Sequence, residues 1–149
     1  MMGGFFMNEQ IKKNMNLLVK ESRDAIVCSI DEYGFPNAKA MFISRCEGIH
    51  TFWFSTNVSS DRIQQWSKCP NTCLYLIDSS QIHGLMLKGM IEIYTDNETK
   101  QEFWRQGDEQ YYTLGPTDPD YCMIRFTANE GNYWEEKKYI LNTEMIKEI

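Results

Sequence analysis

Residues 25–44 read AIVCSIDEYGFPNAKAMFIS, and this stretch indicates the fold class. Two runs of apolar and β-branched residues, Ala25–Ile30 and Asn37–Ser44, flank the segment Asp31-Glu32-Tyr33-Gly34, which is typical of a hairpin turn. Pro36 stands next to the second run, at a strand entrance that tolerates a proline. The stretch therefore predicts two neighbouring antiparallel strands.

The strand pattern continues along the chain and is interrupted by short helical segments. Further strands are predicted at Ile49–Ser55, Thr72–Asp78, Leu85–Tyr94 and Tyr121–Ala128, and Tyr133 and Trp134 extend the last one after a turn at Gly131. Helices are predicted at Asn8–Lys20, from Ser59 to a point before Pro70, and at Asn97–Arg105. Six or seven strands without a βαβ alternation predict a mainly β fold, an antiparallel sheet closed as a small barrel with flanking helices.

Length and composition fit one domain. The chain has 149 residues, of which 42% are hydrophobic. A chain of this size can bury a single core without metal ions or disulfide bonds. We assign residues 8–149 to that domain and leave residues 1–7, which begin Met-Met-Gly-Gly, as a disordered start or a remnant of cloning.

Charge and cysteine usage argue against several classes of protein. A formal net charge of −6 disfavours a nucleic-acid partner, because phosphate binding needs a concentrated positive surface. No apolar run approaches the ~20 residues that cross a bilayer, and no signal peptide is recognisable, so we expect a cytoplasmic protein without a membrane partner. The five cysteines and two histidines lack metal-ligand spacing, so we predict reduced cysteines and no metal site.

Polar residues gather where the third predicted strand meets the following helix. Ser55 and Thr56 end the strand, while Ser60 and Arg62 stand at the helix start. Free backbone N–H groups, the helix dipole and a guanidinium suit a phosphate dianion, and Lys39 on the adjacent hairpin could supply a second cation. An ordinary capped helix with solvated cations would show the same spacing, so the spacing alone leaves both interpretations open.

Five segments carry a resemblance to a known family. They are residues 31–41 (DEYGFPNAKAM), 55–66 (STNVSSDRIQQW), 69–70 (CP), 87–92 (LKGMIE) and 118–121 (DPDY). Their order and spacing resemble the pyridoxamine 5′-phosphate oxidase-like family of FMN-binding split barrels, in particular its short branch similar to general stress protein 26. The resemblance runs from about Asn8 to Trp134, and it implies an antiparallel split barrel.

The resemblance also implies a homodimer that holds FMN at its interface. The cofactor-binding residues carried over to this chain are Lys39, Ala40, Met41, Ser55, Thr56, Ser60, Arg62 and Trp134. Among them, Lys39, Ser60 and Arg62 match residues at the FMN phosphate, and the backbone at Ala40 and Met41 matches contacts to the flavin. Trp134 matches a tryptophan near the flavin, although a structural aromatic at a strand end is the alternative.

Two positions depart from the family pattern. Asp61 occupies a place that is often basic, which would weaken phosphate binding. Gly84 falls where full-length oxidases tend to carry a glutamine that contacts the flavin, so that contact is not expected here.

The family resemblance implies an FMN-dependent oxidoreductase that acts on a small substrate. The flavin carries the chemistry of such enzymes, so the sequence assigns no catalytic residue. After Trp134 the chain continues Glu135-Glu136-Lys137-Lys138-Tyr139 and lacks the arginine and histidine motif that holds the substrate phosphate in full-length oxidases, so we do not expect the vitamin B6 oxidase itself. The alternatives are a non-catalytic flavin-binding or redox-sensing stress protein, and a heme or deazaflavin binder on the same fold.

Overall fold

The computed structural model describes residues 7–149. The strands are β1 (Asp24–Ile30), β2 (Pro36–Phe42), β3 (Arg45–Glu47), β4 (Thr51–Asn57), β5 (Asn71–Asp78), β6 (His83–Tyr94), β7 (Tyr121–Glu135) and β8 (Lys137–Leu141). The α-helices are α1 (Glu9–Glu21), α2 (Asp61–Lys68), α3 (Asn97–Phe103) and α4 (Thr143–Glu148), and 3-10 turns cover Asp108–Gln110 and Gly115–Thr117. Residues 1–6 of the segment predicted as a disordered start lie outside the described residues, whereas Met7 is buried against the core.

One antiparallel sheet contains all eight of these strands. Its order is β2-β1-β5-β6-β7-β4-β3, and β8 pairs with the far end of β7. Strand β2 begins this order, yet it also contacts β4 near the other end, so the sheet curls into a barrel that is open between β2 and β4. The mainly β, antiparallel architecture predicted from the sequence is confirmed.

The core fills the barrel because alternate residues of each strand point inward. On β1, Ala25, Val27 and Ser29 are buried, while the residues between them face outward. Helix α1 begins at a cap in which Asn8 accepts a hydrogen bond from the Ile11 amide at 3.0 Å. It then packs the buried face formed by Met15, Leu18 and Val19 against the core.

A smaller cluster lies between α3 and the side of the sheet that points away from the barrel interior. Phe103, Tyr112, Tyr121 and Met123 are buried there. The Lys100 ammonium is buried and donates to the Asp118 carbonyl at 2.9 Å, which holds α3 to the segment before β7. This cluster fixes the long connection between α3 and β7 next to β4.

Several local predictions differ from the structure. The predicted turn at Gly131 is wrong, because Gly131 lies inside β7 and pairs with Leu87. The third predicted strand is displaced and runs as β4 from Thr51 to Asn57, since Ile49 is buried in the turn before it. Strands β3 and β8 and helix α4 are additional elements, each of six residues or fewer.

The described residues contain neither a membrane-spanning helix nor a cluster of metal-ligating side chains. Within residues 7–149, no helix is long and apolar enough to cross a membrane. In the same part of the chain, no group of three or more His, Cys, Asp or Glu side chains is arranged to hold a metal ion.

Candidate functional site

The connection between β4 and α2 brings three of the predicted cofactor residues together. Thr56 is the penultimate residue of β4, Ser60 is the N-cap of α2 and Arg62 lies in the first turn of that helix. The Arg62 Nη2 atom donates to the Thr56 Oγ1 atom at 2.9 Å, and Thr56 itself is buried. The guanidinium is therefore held against the end of β4.

Two polar atoms at this connection are buried without a hydrogen-bond partner among the described residues. They are the Oγ atom of Ser60 and the Nε atom of Arg62. Although Ser60 occupies the N-cap position of α2, its side chain makes no capping hydrogen bond. Burial lowers the pKa of Arg62, because desolvation disfavours its cationic form. Buried polar atoms in native proteins nearly always have a partner. An anion bound at the start of α2 would satisfy both atoms and offset the burial of the charge.

Asp120 fixes the shape of this connection. Its Oδ1 atom accepts from the Ser59 amide at 2.8 Å, and its Oδ2 atom accepts from Asn57 Nδ2 at 2.8 Å and from Ser59 Oγ at 3.1 Å. The Val58 amide donates to the Asp120 carbonyl at 2.8 Å. These hydrogen bonds lower the pKa of Asp120. Sequence reasoning noticed the segment that contains Asp120 but missed its role, which only the fold reveals.

Ser55 lies on the opposite face of β4 from Thr56, as strand alternation requires. Burial raises the pKa of the Tyr112 phenol, and the nearby Ser55 hydroxyl lowers it in part. Ser55 also lines a groove of about 640 Å³ on that face. The structure thus places Ser55 next to the connection but not among the Ser60 and Arg62 side chains.

Lys39, Ala40 and Met41 lie together on β2, at an end of the sheet order. The register pairs Lys39 with Val27 and Met41 with Ala25, both of which face the barrel interior. Met41 is buried, whereas Lys39 remains exposed beside the opening between β2 and β4. Lys39 therefore lies on the same side of the sheet as Thr56, while Ala40 faces outward.

Trp134 lies near the far end of β7. It pairs with Gly84, and its ring centroid is 6.3 Å from that of Tyr75. Thr56 pairs with Cys122 near the start of β7, so Trp134 is about 40 Å further along an extended strand, less where the barrel bends. The structure does not bring Trp134 to the Arg62 of its own chain.

Gly84 leaves room for an aromatic side chain. A Cβ atom at this position would lie 2.0 Å from the Tyr75 hydroxyl oxygen. A glutamine here would displace Tyr75 from its place beside Trp134, so this part of the site differs physically from one that carries a glutamine.

An exposed apolar surface, which we call the outer face, covers the convex side of the sheet from β2 to β8. Ile26 is 38% exposed, Phe42 54% and Ile77 52%. The register aligns its members across six strands, and they are Ile26, Ala40, Phe42, Tyr75, Ile77, Met86, Trp134 and Ile140. A contiguous apolar surface of this kind usually marks an interaction site. It contains two of the predicted cofactor residues, Ala40 and Trp134.

The curled antiparallel sheet and its flanking helices define a split barrel, and solved structures share this fold. A protein from Clostridium acetobutylicum related to general stress protein 26 of B. subtilis, of the pyridoxinephosphate oxidase family, is 39% identical with a TM-score of 0.85, covering 94% of this chain and 99% of that one. General stress protein 26 from Bacillus anthracis is 19% identical with a TM-score of 0.72, covering 89% and 99%. An F420 reductase is 16% identical with a TM-score of 0.60, covering 78% and 94%.

A family model described as pyridoxamine 5′-phosphate oxidase like matches residues 9–149. The chain belongs to this family, and the resemblance and the split-barrel fold predicted from the sequence are confirmed. A comparison with curated proteins finds no match.

Proposed function

We propose that this chain is an FMN-binding oxidoreductase that acts on a small organic substrate. The observation that carries the proposal is the pair of buried, unpartnered atoms at the start of α2, Ser60 Oγ and Arg62 Nε. They lie on the segment whose sequence resembles the phosphate-binding segment of the family. A phosphate group fits this donor set, because it accepts hydrogen bonds from a hydroxyl, a guanidinium and the N–H groups of a helix terminus together.

The residues of this chain divide the work of holding FMN. Ser60 and Arg62 would hold the phosphate, and Lys39, exposed on the same side of the sheet, would add a second cation. Ala40 and Met41 would contact the flavin through their backbone. Bound FMN supplies hydride or electron transfer, and the chain supplies binding and orientation.

A homodimer completes this proposed site. Trp134 lies about 40 Å along β7 from Cys122, the residue that pairs with Thr56. A flavin held by one chain would therefore meet the Trp134 of a second copy. The outer face, which contains both Ala40 and Trp134, would form the contact between the two copies. Burial of Ile26, Phe42 and Ile77 there would stabilise the dimer through the hydrophobic effect.

The absorption spectrum of the protein purified with its native cofactor tests the proposal. We expect an oxidised flavin spectrum that bleaches under anaerobic conditions when NADH or NADPH is added, and that returns with an electron acceptor. A flavin that neither nicotinamide reduces would favour a non-catalytic flavin-binding or redox-sensing protein. A heme or deazaflavin spectrum would replace FMN with another cofactor on the same fold, for which the F420 reductase among the structural relatives is a precedent.

A further inference from the structure

A basic groove lies beside Ser55, and we call it the arginine groove. It encloses about 640 Å³ between the end of α1, the segment joining β2 to β3 and the segment after α3. Four cationic side chains line it: Lys20, Arg23, Arg45 and Arg105. The whole chain carries a net charge of −6, so this concentration of basic residues opposes the overall charge of the protein.

Aromatic rings and a carbonyl hold the three guanidinium groups in place. Arg23 lies over the Phe42 ring at 4.7 Å from its centroid, and Arg45 lies over the Phe103 ring at 4.2 Å. The Arg105 guanidinium donates to the Ser44 carbonyl. A guanidinium stacked on a ring keeps its N–H donors free along its edge, where a planar anion can accept two of them.

Two acidic groups near the groove already have hydrogen-bond partners. Glu102 accepts from Arg45 Nη1 at 2.8 Å and neutralises that one cation. Asp108, an acidic residue of the lining, accepts from the backbone amide of Arg105 at 2.9 Å and so serves the loop. Arg23 and Arg105 form no ion pair with a carboxylate among the described residues. Both line the groove, and Arg23 also lines a second groove that contains Glu21 and Asp24.

We propose that the arginine groove is the substrate site and that its substrate is a small organic carboxylate with an apolar ring. Exposed Phe42 and Tyr111 offer apolar surface to such a ring, while Arg23 and Arg105 bind its charge. This inference rests on the proposed function, because the groove includes Ser55 of β4, the strand that bears Thr56 of the proposed phosphate site on its opposite face. Phe42 also belongs to the outer face, so the groove opens at the border of the proposed dimer contact.

Calorimetric titration of the purified dimer with benzoate, phenyl phosphate and neutral benzamide tests the proposal. We expect benzoate to bind more tightly than phenyl phosphate or benzamide, and Arg23→Gln to weaken benzoate about tenfold or more, as the loss of a charge-assisted hydrogen bond would. The matched control is Arg125→Gln, since Arg125 stacks on Trp53 and Tyr94 outside the groove and should leave binding unchanged. Within the described residues, the Arg23 guanidinium contacts only the Phe42 ring, and the backbone hydrogen bond that the Arg23 carbonyl accepts from the Ile43 amide survives the substitution, so this variant should fold even if Arg105→Gln does not.

The outcomes separate this inference from the proposed function. Tighter binding of phenyl phosphate than of benzoate would contradict the proposal. Equal binding of benzamide and benzoate, or anion binding that Arg23→Gln leaves unchanged, would overturn it. If Arg23→Gln weakens FMN as much as the anions, the groove belongs to the cofactor and the substrate assignment is wrong. Anion binding in a protein that fails to bind FMN would contradict the proposed function alone.

Discussion

The carboxylate of Asp120 accepts hydrogen bonds from Asn57 and Ser59. A single side chain therefore shapes the connection that precedes Ser60 and Arg62. The three donors are the backbone amide and hydroxyl of Ser59 and the side-chain amide of Asn57. They bind the ionised carboxylate more strongly than the protonated one. The orientation of the candidate phosphate donors is thus set by a residue that touches neither of them.

This role gives Asp120 a characteristic pH dependence. Its pKa is lowered in the folded chain, so its contribution to stability is complete above the unfolded pKa of about 3.9 and is lost as the pH falls through the lower folded value. We expect Asp120→Asn to reduce the free energy of unfolding at pH 6 and to have a smaller effect at pH 3. Urea denaturation of both proteins at the two pH values measures this difference. A gap that stays constant or widens at pH 3 would show that the charge of Asp120 plays no part.

At the scale of elements, the register of β6 and β7 depends on a close backbone approach. The pairing shifts between Lys88 and Gly89, and a Cβ atom on Gly89 would lie 1.9 Å from the Thr127 carbonyl oxygen. A backbone atom inside a sheet cannot move aside, which explains why this strand carries glycine at its centre.

Replacement of Gly89 by alanine tests this explanation. We expect Gly89→Ala to lower the free energy of unfolding by about 1–3 kcal/mol or more, because two long strands must separate to admit the methyl group. Gly84→Ala is the control, since its Cβ would meet the end of the Tyr75 side chain, which can rotate. Chemical denaturation should rank Gly89→Ala as clearly less stable than Gly84→Ala, and the reverse order would refute the explanation.

The spacing of apolar residues predicts the strands that are long enough to show a period. It does not predict the short strands that exist only because they pair with a neighbouring strand. Strands β1 and β2 follow from alternating apolar runs around a turn, whereas β3 and β8 are too short to show a period and exist because they pair with β4 and β7. The position of Ser60 and Arg62 at a helix start predicts them as candidate phosphate-binding residues. The sequence does not predict the outer face, because an apolar run does not reveal which face of the strand the barrel will bury.

At the scale of the whole molecule, the outer face predicts that the chain is a dimer. Light scattering at micromolar concentration should return twice the chain mass of 17.6 kDa. Ile26→Asp should shift the protein toward the monomer, because it places a charge within the apolar contact. Leu114→Asp is the control, as Leu114 is 70% exposed and lies outside the outer face. A wild-type protein that remains at the single-chain mass with cofactor present would contradict the dimer.

The same molecule should not oxidise pyridoxamine 5′-phosphate appreciably. Beyond Trp134, Glu135 accepts hydrogen bonds from Asn14 and Tyr133, and Glu136 forms the turn into β8. The family resemblance implies that a grip on the substrate phosphate would need cations at this place, where carboxylates would repel it. Losing that grip should depress the chemical step as well as affinity. An aldehyde-production assay under air checks this expectation. Sustained turnover of about 1 per second or more would contradict it.

The most direct test of the account compares FMN with riboflavin, which differ only by the phosphate. Flavin fluorescence quenching gives both dissociation constants for the wild type, Arg62→Ala, Lys39→Ala and the control Lys13→Ala, whose exposed cation lies on α1. We expect Arg62→Ala and Lys39→Ala each to weaken FMN by about 1.5–3 kcal/mol while riboflavin changes much less and Lys13→Ala changes neither. Equal losses for FMN and riboflavin would mean that these residues support the fold and do not bind the phosphate.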